Sequence, residues 1–152
     1  MKETAMLSVT AIRMGTVIDH IENGQGMRIV RLLKIQSSDP VTIGLNLKSS
    51  LMGLKDLIKV ENVFLTKADT AKIALFAPNA TVNVIKDFAI ESKYRVELPD
   101  QVDGVLCCAN TLCITRIEKI RTSFSLIDLR GRTGLRCRFC EKVHRQEELI
   151  DL

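Results

Sequence analysis

Cys108-Ala109-Asn110-Thr111-Leu112-Cys113 and, 23 residues later, Cys137-Arg138-Phe139-Cys140 are the stretches whose reading decides the fold of the last third of this chain. The pattern is C-x4-C followed by C-x2-C. Each short pair fits a tight turn with both sulfurs facing one ion, and the long gap lets strands bring the turns together. Four thiolates in a tetrahedron suit zinc. With no open fourth position, the site reads as structural. The roughly 50 residues beyond Pro99 bury too little apolar surface to fold reliably without a staple. Metal affinity then becomes folding free energy, on the order of 10 kcal/mol.

All five cysteines lie between 107 and 140. In a reducing compartment such a cluster holds a metal more readily than it forms disulfides, and an odd count leaves one thiol over. Buried free thiols, a redox C-x-x-C and an iron–sulfur cluster are the alternatives. Cys137–Cys140 lacks the strand-then-helix context that a redox motif needs. Cys107 is the leftover, expected as a small buried hydrophobe, although an exchange of Cys107 for Cys108 is the weakest point of the ligand assignment.

Around the cysteines run short β-like segments: Val102–Leu106, Thr115–Ile117, Ser123–Leu129 and Gly134–Arg138. Upstream the style changes at Leu98-Pro99-Asp100, which gives a division into residues 1–98 and 99–152. Val9–Ile18 reads as a bent strand or tight hairpin around Met14-Gly15. Met27, Ile29, Val30, Leu32 and Leu33 fall at helical spacing. A turn at Ser37-Ser38-Asp39-Pro40 precedes strict alternation at Val41, Ile43, Leu45 and Leu47. Ser49, Ser50 and Gly53 mark a loop before a short strand over Leu57–Val60. Thr66 to Asp69 resembles a capping box, opening a helix that Pro78 ends. Val82–Ile85 and Phe88–Val96 complete the set. The expected class is α+β: a ferredoxin-like antiparallel sheet with two helices on one face, then a small all-β zinc-binding domain.

Charge excludes some functions. The net +4 is dispersed: residues 1–100 hold 13 Lys/Arg against 11 Asp/Glu, and the remainder 9 against 7. No basic arm is present to coat a phosphate backbone, and five Phe with one Tyr offer few stacking platforms. A zinc-ribbon nucleic-acid-binding protein using Arg130, Arg132, Arg136 and Arg138 is the rival reading. A thiol enzyme using His144 beside the cysteines is a poorer third. No apolar run reaches the roughly 18 residues that span a bilayer. The first residues lack the zones of a secretion signal, so a cytoplasmic chain is expected.

Several runs in one order carry a resemblance: Gly15-Thr-Val-Ile-Asp-His20, Ile43-Gly-Leu-Asn-Leu47, Lys55-Asp-Leu-Ile-Lys59, Ala77-Pro-Asn-Ala-Thr-Val-Asn83, and the four cysteines with Glu141-Lys142. Over essentially its whole length the chain resembles aspartate carbamoyltransferase regulatory chains. That resemblance implies a non-catalytic subunit of pyrimidine biosynthesis whose first domain binds nucleoside triphosphates, CTP and UTP inhibiting and ATP activating. It further implies a zinc domain docked on the catalytic chain, and regulatory chains paired as homodimers.

By matching position, the resemblance implies a nucleotide site that includes Asp19 and His20, with Ile12 and Val17 close by. Lys59 matches a phosphate or ribose contact, Asn83, Ile85 and Ile90 line base and sugar, and Lys93 meets the triphosphate. Two ammonium groups suit a triphosphate, and a carboxylate accepts from a ribose hydroxyl or an exocyclic amine. Taken singly, each residue has a plainer reading: His20 as a structural histidine, the lysines as solvated charges, Asn83 as a surface amide. No glycine-rich phosphate loop supports nucleotide binding independently. The chain departs from the family's usual pattern at Ala109, where proline is usual, at the extra Cys107, and at Thr10, where relatives can carry a carboxylate.

Overall fold

The computed structural model describes residues 11–35 and 38–151. Val9 and Thr10 at the start, and Ser37 of the expected turn, lie outside the described residues. The first sheet has five strands, β1 (Gly15–Glu22), β2 (Val41–Ser49), β3 (Gly53–Glu61), β4 (Thr81–Lys86) and β5 (Ala89–Arg95), in the order β2-β3-β1-β4-β5. All of its pairings are antiparallel. Helix α1 (Gly26–Leu32) links β1 to β2, and α2 (Lys67–Phe76) links β3 to β4. This is the expected ferredoxin-like β-α-β-β-α-β order with β5 added at an edge.

Strand periodicity separates the two faces. Ile18, Ile58, Val60 and Val82 are fully buried and join Ile29 and Leu32 of α1 and Ile73, Leu75 and Phe76 of α2 in one core. The capping box at α2 forms as expected: the Asp69 N–H donates to Thr66 Oγ1 at 3.2 Å, and the Thr66 N–H donates to Asp69 Oδ2 at 2.9 Å. Asp56, on the helix side of β3, is also fully buried. Its carboxylate accepts from the backbone N–H groups of Gly24, Gly26 and Asn46 at 2.9–3.0 Å, tying the start of α1 to the bulge in β2. β3 begins at Gly53, four residues before the expected strand.

The C-terminal part contains β6 (Gln101–Asp103), β7 (Leu106–Cys107), α3 (Ile114–Ile117), β8 (Ser123–Leu129), β9 (Arg132–Cys137), β10 (Val143–Arg145) and β11 (Ile150–Asp151). Four of these form a sheet in the order β10-β9-β8-β6, and β11 pairs with β7. Thr115–Ile117, expected to be β-like, is instead a single helical turn. The Arg116 N–H donates to the Cys113 carbonyl at 2.8 Å and Glu118 to Ile114 at 2.9 Å, coiling the chain as it leaves the first cysteine pair. Local closure outweighs the β-propensity of Thr and Ile here.

Core residues of the two parts touch. Leu106, Phe124, Leu135 and Leu149 belong to the same contiguous cluster as Phe76 and Leu32. Arg28 of α1 reaches across: its guanidinium lies 3.8 Å over the Phe76 ring and donates from Nη2 to the Leu149 carbonyl at 2.8 Å.

Candidate metal centre and the outer face of the sheet

Two chain reversals supply the sulfurs. In the first, Cys108–Cys113, the Leu112 N–H donates to Asn110 Oδ1 at 3.1 Å and the Cys113 N–H to the Asn110 carbonyl at 3.0 Å. The second connects β9 to β10. There the Cys137 N–H donates to the Lys142 carbonyl at 3.0 Å and the Glu141 N–H to the Cys137 carbonyl at 2.9 Å, with Glu141 left-handed at φ 64°. These turns place the sulfurs of Cys108, Cys113, Cys137 and Cys140 within 4.8 Å of one another. Cys108–Cys140 and Cys113–Cys137 are each 3.7 Å apart. Bonds of about 2.3 Å from four sulfurs to one zinc ion require separations of about 3.8 Å, so the cluster fits tetrahedral coordination.

A cation at this site has to draw protons from sulfurs that burial keeps protonated. Burial pushes the Cys108 thiol far above its ordinary value and Cys137 in the same direction. Burial acts to raise Cys140 too, but the Lys142 N–H, the Asn110 side chain and the neighbouring sulfurs bring it down to about 7. Cys107 stays out of the cluster. Contrary to expectation it is half-buried, and its sulfur accepts from Arg116 Nη1 at 3.1 Å; the same nitrogen donates to the Cys108 carbonyl at 3.0 Å. Cys107 ends β7, whereas Cys108 lies beyond the strand with its sulfur 3.7 Å from that of Cys140.

Leu112, Ile114, Ile117 and Phe139, which flank the metal-facing cysteines, are exposed; Leu112 is 81% and Ile117 68% accessible. Exposed apolar side chains of this size are a feature of interaction surfaces.

The second group of candidates lies on the sheet face opposite the helices. Register aligns Lys59, Val17, Asn83 and Lys93 in one row across β3, β1, β4 and β5, and Asp19, Thr81 and Arg95 in the next. Asn83 is 8% exposed and donates from Nδ2 to the Val17 carbonyl at 3.4 Å. Ile12 and Ile85 are buried without joining the helix-side core, whereas Ile90, opposite Ile85, is 61% exposed.

A bulge between Ile18 and Ile21 lifts Asp19 and His20 out of the β1–β3 ladder, with His20 at φ 56°. Asp19 Oδ1 accepts from Lys55 Nζ at 2.8 Å and from the His20 N–H at 2.7 Å, and His20 Nδ1 lies 3.0 Å from Thr81 Oγ1. Burial opposes it, yet Lys55 and the His20 N–H hold the Asp19 carboxyl below its ordinary value. A concavity of about 340 Å³ opens beside these groups, lined by His20, Leu51, Met52, Asn79, Thr81 and Arg95. The Arg95 guanidinium donates to Asn79 Oδ1. Lys55, Thr81 and Arg95 were not among the expected site residues. Two of them are cations brought near Asp19 and His20 by strand pairing.

No helix among the described residues is long and apolar enough to cross a membrane. Comparison with known proteins places both halves of the chain in one context. Residues 7–97 match the family described as aspartate carbamoyltransferase regulatory chain, allosteric domain, and residues 100–150 match aspartate carbamoyltransferase regulatory chain, metal binding domain. The protein named aspartate carbamoyltransferase regulatory chain from Serratia marcescens is 48% identical over 145 residues, 95% of this chain and 94% of the relative. Its namesake from Chromobacterium violaceum is 47% identical over 146 residues, 95% and 96% of the two chains. The one from Aeromonas hydrophila is 44% identical over 148 residues, 97% and 96%.

Proposed function

Because the chain belongs to the family of aspartate carbamoyltransferase regulatory chains, we propose that it is the cytoplasmic, nucleotide-sensing subunit of that enzyme in pyrimidine biosynthesis, binding CTP, UTP and ATP and passing their effect to the catalytic chain. It performs no chemistry itself. Residues 1–98 form the nucleotide-binding part and 99–152 the zinc-held part.

The observation that carries the nucleotide reading is the cross-strand row Lys59–Val17–Asn83–Lys93 beside the Asp19–His20 bulge. Lys59 and Lys93 meet the triphosphate as point charges, with Asn83 between them. Asp19 and His20 read sugar or base beside the concavity, Ile85 and Ile90 line base and sugar, and Ile12 and Val17 stand close by. CTP and UTP inhibit and ATP activates through different affinities for two states of the assembly, a coupling of typically 1–3 kcal/mol.

Cys108, Cys113, Cys137 and Cys140 hold one zinc ion, which supplies rigidity and no reactive position. The exposed apolar side chains around them, Leu112, Ile117 and Phe139 foremost, suit a docking face for the catalytic chain. Two regulatory chains pair as a homodimer.

The test is CTP and ATP binding, by calorimetry, to the chain assembled with its catalytic partner. Lys59→Ala and Lys93→Ala are expected to weaken binding tenfold or more with assembly and zinc content unchanged. Loss of assembly with normal binding would overturn the site assignment. Cys113→Ser and Cys140→Ser are expected to abolish both zinc uptake and attachment, and normal assembly of either would overturn the docking role.

A further inference from the structure

His144 has no part in the reading above, yet it sits deep against the sulfur cluster. It lies on β10 opposite Leu135 of β9, is 7% exposed, and places Nε2 at 3.5 Å from Cys108 Sγ. We propose that His144 is a positioning residue of the metal site, donating its Nε2–H to the Cys108 sulfur and holding that sulfur where it ligates. The inference rests on the four-thiolate reading and deepens it.

A sulfur that binds a divalent cation has given up its proton and can only accept a hydrogen bond. The pair is therefore N–H···S, with the imidazole in its Nε2–H tautomer. Four thiolates around one divalent ion leave two net negative charges in a site where three of the sulfurs belong to buried residues. Such charge needs donors in place of water. The backbone N–H groups of Cys140 and Phe139 serve Cys137, that of Lys142 serves Cys140, and Thr115 Oγ1 stands 3.1 Å from Cys113. Cys108, fully buried, receives the Asn110 N–H; His144 adds a side-chain donor.

The placement also joins the two halves of the site. Cys108 belongs to the first reversal. His144 follows the second by four residues, on the strand that hairpins back from Cys137 and Cys140. The hydrogen bond thus spans 36 residues of chain and ties one knuckle to the frame of the other. Donors behind metal ligands orient them, and their loss typically costs 10–100-fold in metal affinity.

The test uses the full zinc-loaded chain with excess chromogenic chelator. His144→Phe keeps ring volume and removes the donor; it is expected to release zinc about 10–100-fold faster than the parent. His144→Gln restores an N–H and is expected to recover most of the difference. In the cobalt-substituted chain, His144→Phe should also move the thiolate-to-metal charge-transfer band to lower energy. Release at the parental rate from His144→Phe, or equally fast release from His144→Gln and His144→Phe, overturns the proposal. Should His144→Phe fail to fold, nitrogen NMR of the unmutated zinc-loaded chain decides: an Nε2–H tautomer supports it and Nδ1–H overturns it. A parent chain without stoichiometric metal would instead sink the four-thiolate reading, which metal analysis detects separately.

Discussion

Lys55 Nζ stands 2.8 Å from Asp19 Oδ1, joining β3 to β1 at the bulge where the two strands leave regular register. Both side chains are only about one-fifth exposed, so the pair is screened less than a surface ion pair. It fixes the carboxylate next to His20 and leaves His20 to engage Thr81.

This pair sets a pH dependence. Burial acts to raise the Asp19 carboxyl, but Lys55 and the His20 N–H outweigh it and lower the value. A carboxyl lowered in the folded state stabilises it above the unfolded value, near 3.8, and that contribution is lost as pH falls through the folded value. Lys55→Met removes the main lowering partner and leaves burial to act. Acid unfolding, followed by circular dichroism from pH 7 to pH 2, is expected to begin at higher pH in the variant. Superimposable acid transitions would show that the pair contributes nothing.

Asp56 gives a larger effect by a different route. Its carboxylate satisfies three backbone N–H groups in a fully buried position. Asp56→Ala leaves all three without a partner at the joint of α1 and β2, at a cost of about 3 kcal/mol. Urea denaturation should show a lowered midpoint with an unchanged slope. A shift under about 0.5 kcal/mol would mean that water replaces the carboxylate there.

Gly15 tests close approach. At φ +141° it opens β1 against Val60, and an added Cβ would stand 2.1 Å from the Val60 carbonyl oxygen. The three nearest atoms, from Val60, Glu61 and Asn62, are all backbone, so no side chain can move aside. Gly15→Ala is expected to cost about 2–3 kcal/mol and to displace the start of β1. Thermal unfolding measures the loss, and a parental midpoint would show that the strand shifts freely.

Local patterns made much of this legible. The β2 alternation, the Thr66–Asp69 box and the cysteine spacing each concern residues within a few positions of one another. What they could not convey is register. Lys59, Asn83 and Lys93 become neighbours only because β3, β1, β4 and β5 pair in one alignment. Lys55 and Asp56 look like ordinary strand polars until a bulge turns one toward Asp19 and burial places the other under α1. Cys107 and Cys108 differ by one position; only the fold shows that Cys108 carries its sulfur into the cluster while that of Cys107 meets Arg116.

Metal removal probes the dependence of the C-terminal sheet on its sulfurs. The β9–β10 reversal is set by Cys137, Cys140 and Lys142, and the first reversal meets it through paired sulfurs 3.7 Å apart. Without a cation, burial favours the protonated form of Cys108 and Cys137, and four strong bonds to sulfur are lost. The sheet β10-β9-β8-β6 then has little beyond Leu106, Phe124, Leu135 and Leu149 to hold it. Exhaustive chelation is expected to abolish hydrogen-exchange protection in residues 123–145. Amides of β1 and β3, whose core of Ile18, Ile58 and Val60 packs under α1 and α2, should keep theirs. Exchange mass spectrometry of the metal-free chain reads both regions at once. Persistent protection across β8 and β9 after complete metal loss would mean that apolar packing alone holds the C-terminal sheet.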